Sequence, residues 1–453
     1  MKRVSLVVLV VLAVMPALAL ADDQPQWLVG TAKADITPNN SIWMAGFASR
    51  TKPSEGVAQK LYSRVIALQD QKGHRLVIIG SDILGMPATL VETISQDLEI
   101  SYGLKRAQVL FTFSHTHSGP VIRESLSLMY DLNSEQSYAV NQYVLTIWKR
   151  IHEAVDNALQ NMKPASLYTA IGEAHFGVNR RQQKESGVVI GVNDTGPVDH
   201  SVPVLKMVAA DQAVLAVLFS YACHNTTLTG NNYLIHGDYA GVAEEELEKT
   251  YPGSVALFMA GFAGDTNPNP RGTMELAIAH GQSLAAAVTT ALSGAVRPVN
   301  GPLRTRLNYV KLPFSKPPTR QELEAKLQDK DKYVQRNAKG LLEKLNSKGK
   351  LPSHYDYPIK IVQWGKDLTL VALAGEVVVD YAIRLRHDIP PAEQLWLVGY
   401  SNDVFAYIPS RRLIEEGGYE PANSMIYYGL WPWAQEVEEI LVKRIVEQVN
   451  KLR

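Results

Sequence analysis

The sequence predicts an α/β fold with mixed β-sheets flanked by helices in a single large domain. Strand and helix patterns alternate along the chain, which is the order expected of this class. Several strands are short, continuous apolar runs of the kind that are buried on both faces. Of the 453 residues, 46% are hydrophobic, which is enough for a sizeable core.

The individual elements follow from apolar spacing and turn signals. Residues 61–69 and 75–81 flank a turn at Lys72-Gly73, which predicts a hairpin. Further strands are predicted at 107–114, 202–208, 214–221, 359–373 (two strands turning at Gly365-Lys366) and 393–398. Helices are predicted at 89–102, 135–161, 241–249, 274–292, 376–386 and 434–451. A charged stretch at about 319–348 is predicted to be a solvated helical insertion without a catalytic role.

The N-terminus has the three parts of a secretory signal. Lys2 and Arg3 precede an uncharged apolar run to Leu20, and Ala19-Leu20-Ala21 offers the small residues that a signal peptidase requires. We therefore expect residues 1–21 to be a signal peptide, residues 22–453 to form the mature catalytic domain, and the protein to be exported to the periplasm or secreted. An uncleaved N-terminal anchor is the alternative interpretation.

Charge and cysteine content exclude several classes. Lys plus Arg equals Asp plus Glu, at 45 each, so charge gives no reason to expect a nucleic acid partner. The one cysteine, Cys223, excludes an internal disulfide and a Cys-rich zinc site, and we expect it to be a small buried residue. A metal site would have to use His, carboxylate or Tyr.

The sharpest local motif is SHTHSGP at 114–120, which follows a predicted buried strand. If the segment is extended, residues two apart point the same way, so His115 and His117 could reach one metal, or one could bind metal while the other acts on substrate. A hydrogen-bonded histidine pair at a strand end is the alternative interpretation.

Other strands also end in polar residues. The motifs are YACHNTT at 221–227, HGDYAG at 236–241, GFAGDTNPN at 261–269, AGE at 374–376 and NDVFAYIP at 402–409. For Asp265 a structural turn is the favoured interpretation. Such residues can gather in one crevice at strand ends, and two His with a carboxylate are the composition of a catalytic zinc site.

These motifs, in this order, resemble the neutral, non-lysosomal ceramidase family. The resemblance also includes GTAKADITP at 30–38, MAGF at 44–47 and VNRR at 178–181. It implies Zn²⁺ held by His115, His224, Glu376 and Tyr407. It further implies that His117 is an acid/base beside the metal, and that Arg180 and Tyr419 stabilise the oxyanion of an amide under attack.

Three departures from the family pattern stand out. Asn267 replaces the serine of GDVSPN, so a serine nucleophile at that position is not available. The NRSP segment reads NRRQ at 179–182, which adds the charge of Arg181 and hints at an anionic head group, with a surface role as the alternative. The chain stops at Arg453, so the family's C-terminal immunoglobulin-like domain is expected to be missing.

The resemblance implies a zinc-dependent amidohydrolase that cleaves the N-acyl amide bond of ceramide, or of a related N-acyl lipid or other small amide, by zinc-activated water. Another exported metallohydrolase acting on esters or phosphoesters, or a non-catalytic binding homologue, are the alternatives. Peripheral membrane contact stays open. An acyl groove could be lined by Trp431, Trp433, Tyr427 and Tyr428, although core packing is favoured for each singly.

Overall fold

A computed structural model of the protein describes residues 26–452, so the predicted signal peptide lies outside the described residues. The strands are β1 (Trp27–Asp35), β2 (Gly56–Val57), β3 (Tyr62–Asp70), β4 (Arg75–Ser81), β5 (Val109–Phe113), β6 (Lys163–Glu173), β7 (Gly177–Lys184), β8 (Gly187–Asn193), β9 (Ser201–Ala209), β10 (Val214–Tyr221), β11 (Leu234–Ile235), β12 (Val255–Ala260), β13 (Thr266–Pro268), β14 (Arg297–Val299), β15 (Leu303–Pro313), β16 (His354–Trp364), β17 (Leu368–Leu373), β18 (Glu376–Val377), β19 (Leu395–Val398) and β20 (Tyr407–Ile408). The α-helices are α1 (Ala88–Tyr102), α2 (Ser134–Gln160), α3 (Asp238–Thr250), α4 (Met274–Ser293), α5 (Arg320–Lys326), α6 (Lys332–Lys348), α7 (Asp380–Asp388), α8 (Arg411–Glu416) and α9 (Val437–Asn450).

Two large mixed sheets form the centre of the fold. The larger has the order β12-β10-β9-β6-β1-β3-β4-β5, with β14 also paired to β6, and the smaller has the order β15-β16-β17-β19. The pairs β4–β5, β10–β12 and β17–β19 are parallel. Smaller pairings are β13-β7-β8, β11-β2 and β18-β20.

The two large sheets pack face to face, with helices on both outer sides. Alternation along β3 places Ile66 and Leu68 in a buried cluster with Trp364 of β16, between the sheets. Their neighbours Val65 and Ala67 point outward into a second cluster that includes α1 to α4. A third cluster covers the outer face of the smaller sheet with α6, α7 and α9. The result is a four-layer helix–sheet–sheet–helix arrangement, in which each strand of the inner layers can be buried on both faces.

The predicted α/β class with mixed sheets and flanking helices is confirmed. The predicted hairpin forms between β3 and β4, in which Ser63 pairs with Ser81. The long strands β6 and β15 were not predicted, because their partly exposed faces carry charged and polar residues that interrupt the apolar pattern.

One predicted helix, at 376–386, begins too early. Glu376 lies on β18, and the helix starts only at Asp380. Gly375 has a φ of 69°, and the backbone N–H of Glu376 donates to Ala406 O. This tertiary pairing with β20 overrides the local helical preference, and it sets the direction of the Glu376 side chain.

The charged stretch at 319–348 contains α5 and α6. It is helical, as predicted, but one side packs on the core: Leu323, Ala338 and Leu341 are buried in the same cluster as Trp431 and Trp433. The remaining charged side chains face solvent. Within residues 26–452, no helix combines the length and apolar character needed to cross a bilayer.

Candidate metal centre

The four predicted metal ligands converge where strands of both large sheets end. His115 follows β5 and His224 follows β10, both in the larger sheet. Glu376 follows β17 of the smaller sheet and pairs with Tyr407 across the parallel strands β18 and β20. All four residues are buried.

The backbone at His115 is not extended. Its φ is 57°, in the left-handed region that costs a non-glycine residue roughly 1 kcal/mol. The argument from an extended segment is therefore wrong, although the rings of His115 and His117 do lie together, with centroids 4.9 Å apart. The His115 ring is oriented by its Nδ1–H, which donates to Leu84 O at 2.6 Å.

His224 has the same kind of anchor. Its Nδ1–H donates to Ala263 O at 2.7 Å, which leaves Nε2 as an acceptor. That Nε2 lies 2.9 Å from Glu376 Oε2. The Nε2 of His115 lies 3.3 Å from the same carboxylate oxygen but without hydrogen-bond geometry. Three acceptor atoms therefore face one another in a buried space.

His117 completes a cluster of three histidines whose ligand atoms lie within 4.8 Å of one another. Both of its ring nitrogens are buried, and neither has a hydrogen-bond partner among the described residues. Its ring sits against Gly46, where a Cβ would come within 2.3 Å of Nδ1. Burial, together with His115 and His224, lowers the pKa of His117 well below its usual value, so this side chain is neutral at pH 7.

Two tyrosines complete the surroundings of Glu376 and His224. The Tyr407 hydroxyl lies 3.3 Å from His224 Nε2. The Tyr428 hydroxyl donates to Glu376 Oε1, the oxygen that faces away from the histidines. Tyr428 therefore fixes the carboxylate so that Oε2 stays directed at the two rings.

The arrangement fits a bound cation. Burial and Arg180 lower the pKa of His224 to about 4. Burial alone would raise the pKa of Glu376, but His115 and His224 outweigh it and hold that pKa well below its usual value. The two Nε2 atoms and the carboxylate oxygen face one space, so a cation placed there could be held by all three. Two imidazoles and a carboxylate are ligands that suit zinc.

Arg180 is also brought to the cluster, by β7. Its Nη1 lies 3.4 Å from the ring nitrogens of His224 and 3.3 Å from Asn267 Oδ1. Its Nε donates to Glu420 at 2.9 Å. Its Nη2 is buried and has no hydrogen-bond partner among the described residues. One end of the guanidinium is therefore paired and the other is available to a ligand.

Both interpretations of Arg181 from the sequence, as a partner of an anionic head group and as a surface residue, are wrong. It is neither at the surface nor available to an anionic head group, because it is 2% exposed and paired with protein carboxylates. It donates to Glu420 Oε2, and its Nη2 donates to Glu416 at 3.0 Å and to Gly417 O at 2.8 Å. The added charge is neutralised internally, which one sequence could not reveal.

A pocket of about 190 Å³ opens beside the cluster. It is lined by Gly46, Phe47, Ala48, His117, Met129, Arg180, Ile190, His224, Thr226, Asn267, Arg271, Tyr407, Tyr419 and Tyr427. The predicted site residues His117, Arg180 and Tyr419 thus border one space with Asn267. Burial, followed by Glu376, raises the pKa of Tyr419 above its usual value, so its hydroxyl keeps its proton.

The four aromatic residues proposed for an acyl groove have different places. Trp433 stacks on Phe314 with centroids 4.5 Å apart, and Trp431 packs on the same ring. These two belong to the core, so the groove hypothesis is wrong for them. Tyr427 lines the pocket, whereas Tyr428 supports Glu376.

Some residues of the site were not found from the sequence. The Tyr400 ring lies 4.3 Å from that of His115, yet a lone aromatic residue after a strand gives no signal of this. Asp265 lies in a turn, as predicted, which Thr266 N closes by donating to Ala263 O at 3.1 Å. Its side chain has distant partners, however: it accepts from Val379 N at 2.9 Å and from Asn179 Nδ2 at 3.3 Å. It thereby links β7 to the segment that carries Glu376, and burial raises its pKa to about 7.

Comparison with known proteins gives three findings. Residues 27–301 match the family described as neutral/alkaline non-lysosomal ceramidase, N-terminal. Neutral ceramidase A of Dictyostelium discoideum is 28% identical over 273 residues, covering 56% of this chain and 37% of that protein. A neutral ceramidase of Mycobacterium tuberculosis is 28% identical over 270 residues, covering 54% and 41%. The chain thus spans less than half the length of these relatives.

The fold gives a broader match. The crystal structure of neutral ceramidase from Pseudomonas aeruginosa superposes with a TM-score of 0.71 at 21% identity, covering 94% of this chain and 74% of that one. The likeness therefore includes the part of this chain that carries Glu376, Tyr407 and Tyr419, beyond residues 27–301. Because the family match covers more than half of its residues, the chain belongs to the neutral/alkaline non-lysosomal ceramidase family.

Proposed function

We propose that the protein is a zinc-dependent amidohydrolase that cleaves the N-acyl amide bond of ceramide or of a related N-acyl lipid. The observation that carries this proposal is the convergence of the Nε2 atoms of His224 and His115 on one carboxylate oxygen of Glu376, at 2.9 and 3.3 Å, beside an open pocket. The name of the relatives supports ceramide as a candidate substrate.

In this proposal His115, His224, Glu376 and Tyr407 hold the metal. Bound zinc supplies a Lewis acid that polarises a carbonyl oxygen and lowers the pKa of water to near 7. The anchors at Leu84 O and Ala263 O fix the tautomers of the two histidines, and the Tyr428 hydroxyl fixes the carboxylate. Such supporting contacts keep the ligands ready before metal arrives.

The other pocket residues carry out the acid/base and charge-stabilising steps. His117 is neutral, so it can take a proton from the attacking water and deliver it to the leaving amine nitrogen. The water oxygen ends on the acyl carbon as a carboxylic acid. The unpaired Nη2 of Arg180 and the protonated hydroxyl of Tyr419 can donate to the carbonyl oxygen as it gains charge.

No serine nucleophile takes part in this proposal. Asn267 lines the pocket where the family has serine, and its amide oxygen accepts from Arg180. An amide cannot form an acyl-enzyme, so Asn267 positions the guanidinium instead. We further propose that the protein acts after export, in the periplasm or outside the cell, on a lipid or small amide and not on nucleic acid.

The test is hydrolysis by purified protein with a measured metal content. We expect about one zinc per chain, release of fatty acid from ceramide or N-acylethanolamine, loss of activity with chelator, and recovery with Zn²⁺. Cleavage of esters or phosphoesters, with every amide left intact, would replace the amidase by another metallohydrolase. Stoichiometric zinc with no hydrolysis of any substrate would favour a binding homologue.

A further inference from the structure

The lining of the pocket has an unbalanced charge. Among its fourteen lining residues are two arginines, Arg180 and Arg271, and no aspartate or glutamate. Glu420 pairs with Arg180 from outside this lining. The charge of Arg180 is thus balanced by Glu420, and the net charge of the pocket depends on Arg271.

Arg271 has no partner among the described residues. Within residues 26–452 its guanidinium forms no hydrogen bond, and no carboxylate lies within 4.0 Å of its nitrogens. Asp238 acts on it only from a distance, and the oxygens of that carboxylate are already taken by the backbone N–H groups of Thr227, Leu228 and Tyr239. Burial, and then the charge of Arg180, lower the pKa of Arg271.

The other arginines near the site are different. Arg181 is paired with Glu416 and Glu420, and Arg50 is buried with donors directed at the carbonyls of Ala45, His117 and Asn232. Arg180 is paired at Nε but keeps a buried, unpartnered Nη2 at the same pocket. A guanidinium pairs most strongly with a carboxylate or phosphate, and here two arginines line a pocket whose lining includes no aspartate or glutamate.

Resting on the proposed amidase function, we propose that Arg271 binds an anionic group on the amine half of the substrate, so that N-acyl amino acids are cleaved in preference to neutral amides. The anion must belong to the amine half, because the carboxyl group of a fatty acid is consumed in forming the amide. A charge-assisted bond to carboxylate is the strongest contact that Arg271 can make there.

The size of the pocket supports a small head group. Its volume of about 190 Å³ is below the roughly 300–1,000 Å³ of ordinary ligand sites. It can take an amino acid and its amide, whereas the second hydrocarbon chain of a ceramide would have to lie outside. The apolar lining residues Phe47, Met129, Ile190 and Tyr427 are left for the start of an acyl chain.

The test compares matched lauroyl amides on the zinc-loaded protein: N-lauroylglycine, its uncharged glycinamide, N-lauroylethanolamine and N-lauroyl phosphoethanolamine. We expect kcat/KM for N-lauroylglycine to exceed that for the glycinamide by about tenfold or more, and Arg271→Gln to remove this ratio while leaving the glycinamide rate within about twofold. The control Arg304→Gln removes an exposed arginine of β15 and should preserve the ratio. A faster phosphoethanolamide would identify a phosphate as the anion instead of a carboxylate.

A second measurement separates the two proposals. Calorimetric binding of N-lauroylglycine and its glycinamide to zinc-loaded wild type and Arg271→Gln needs no turnover. If no amide is hydrolysed but the glycine compound binds tighter only when Arg271 is present, the amidase proposal fails and the anion site stands. Equal binding or equal cleavage of the charged and neutral amides, or a preference that persists in Arg271→Gln, would overturn the assignment of Arg271.

Discussion

Two clusters of polar side chains in the protein are both buried, but their charged and polar atoms are arranged differently. The Arg64 cluster consists of Arg64, Asp82, Glu244 and Glu248, and its central guanidinium is 1% exposed. Arg64 Nη1 lies 2.8 Å from Asp82 and 2.7 Å from Glu244, and Nε lies 3.3 Å from Glu248. In the candidate metal centre, by contrast, His115, His224 and Glu376 direct acceptor atoms at one another.

The difference teaches which feature distinguishes a site from a structural ion pair. In the Arg64 cluster opposite charges meet. Burial outweighs Arg64 and raises the pKa of Glu244 well above its usual value, so one of the three carboxyls keeps a proton. At the candidate metal centre two imidazole nitrogens converge on one carboxylate oxygen, and the guanidinium of Arg180 lies 3.4 Å from the ring nitrogens of His224 without pairing with that carboxylate. Both clusters are buried. In the Arg64 cluster the carboxylate oxygens face a guanidinium, whereas at the candidate metal centre the acceptor atoms face one another.

The largest effect should come from removing a ligand. His224→Ala deletes one of the three facing acceptors, so zinc content should fall far below one per chain and kcat/KM should drop by on the order of 10³ or more. His224→Gln, which keeps most of the volume, guards against a folding artefact. The exposed His175→Ala is the matched control. Full zinc occupancy in both His224 variants would refute the ligand assignment.

Breaking the Arg64 cluster should affect stability instead. Arg64→Met leaves buried carboxyls without their cation, and we expect the free energy of unfolding in urea to fall by about 3–5 kcal/mol. The control Lys33→Met removes a partly exposed partner of Glu248. It should change the free energy of unfolding by less than about 1 kcal/mol. Zinc content of the folded fraction should be unchanged. A ligand-like loss of zinc in Arg64→Met would remove the distinction between the two regions.

Asp403 extends the comparison to a buried carboxyl without a cation. It accepts from Ala88 N at 3.0 Å and from the Tyr355 hydroxyl, and burial raises its pKa to about 7. The folded state then holds a proton that the unfolded state loses near pH 4, so this group makes stability fall as pH rises from about 4 to 7. Asp403→Asn should remove that part of the slope, gaining a few kcal/mol relative to wild type at pH 8. If the free energy of unfolding changed with pH in the same way in wild type and Asp403→Asn, the raised pKa of Asp403 would be contradicted.

The smallest effect should come from Tyr428→Phe. It removes the hydroxyl that holds Glu376 Oε1 but keeps the ring, so zinc affinity should weaken by about 10–100-fold with the fold intact. Competition against a calibrated chelator measures this directly. Tyr427→Phe, on the neighbouring pocket residue, is the control. Unchanged affinity in Tyr428→Phe would mean that the carboxylate needs no such support.

Much of the fold could be predicted because its inner strands are buried on both faces. Such strands are continuous apolar runs, and each ends in a polar residue where the site is built, as at His115 and His224. The strands β6 and β15 were missed because one face is partly exposed. Glu376 was found as a residue, but its strand was taken for a helix because its pairing partner, Tyr407, is distant in sequence.

The parts of the site that could not be predicted depend on what each polar side chain meets after folding. Arg181 and Arg271 are the same residue type near the same pocket, yet one is neutralised by Glu420 and the other has no carboxylate beside it. Tyr428 and Tyr427 are adjacent, and only one contacts Glu376. The spacing of hydrophobic residues in a sequence indicates whether a segment is a helix or a strand, whereas these side-chain contacts depend on tertiary packing.

The spread of the ligands along the chain has a consequence for folding. His224 is separated from Glu376 by 152 residues and from Tyr407 by 183. A partly folded chain with only the larger sheet assembled would hold the two histidines but neither of the other ligands. Closing such long loops is entropically unfavourable and slow. If these four residues hold the proposed zinc, we expect tight metal binding to come late in folding, after the two sheets have docked, and to stabilise the folded chain without nucleating it.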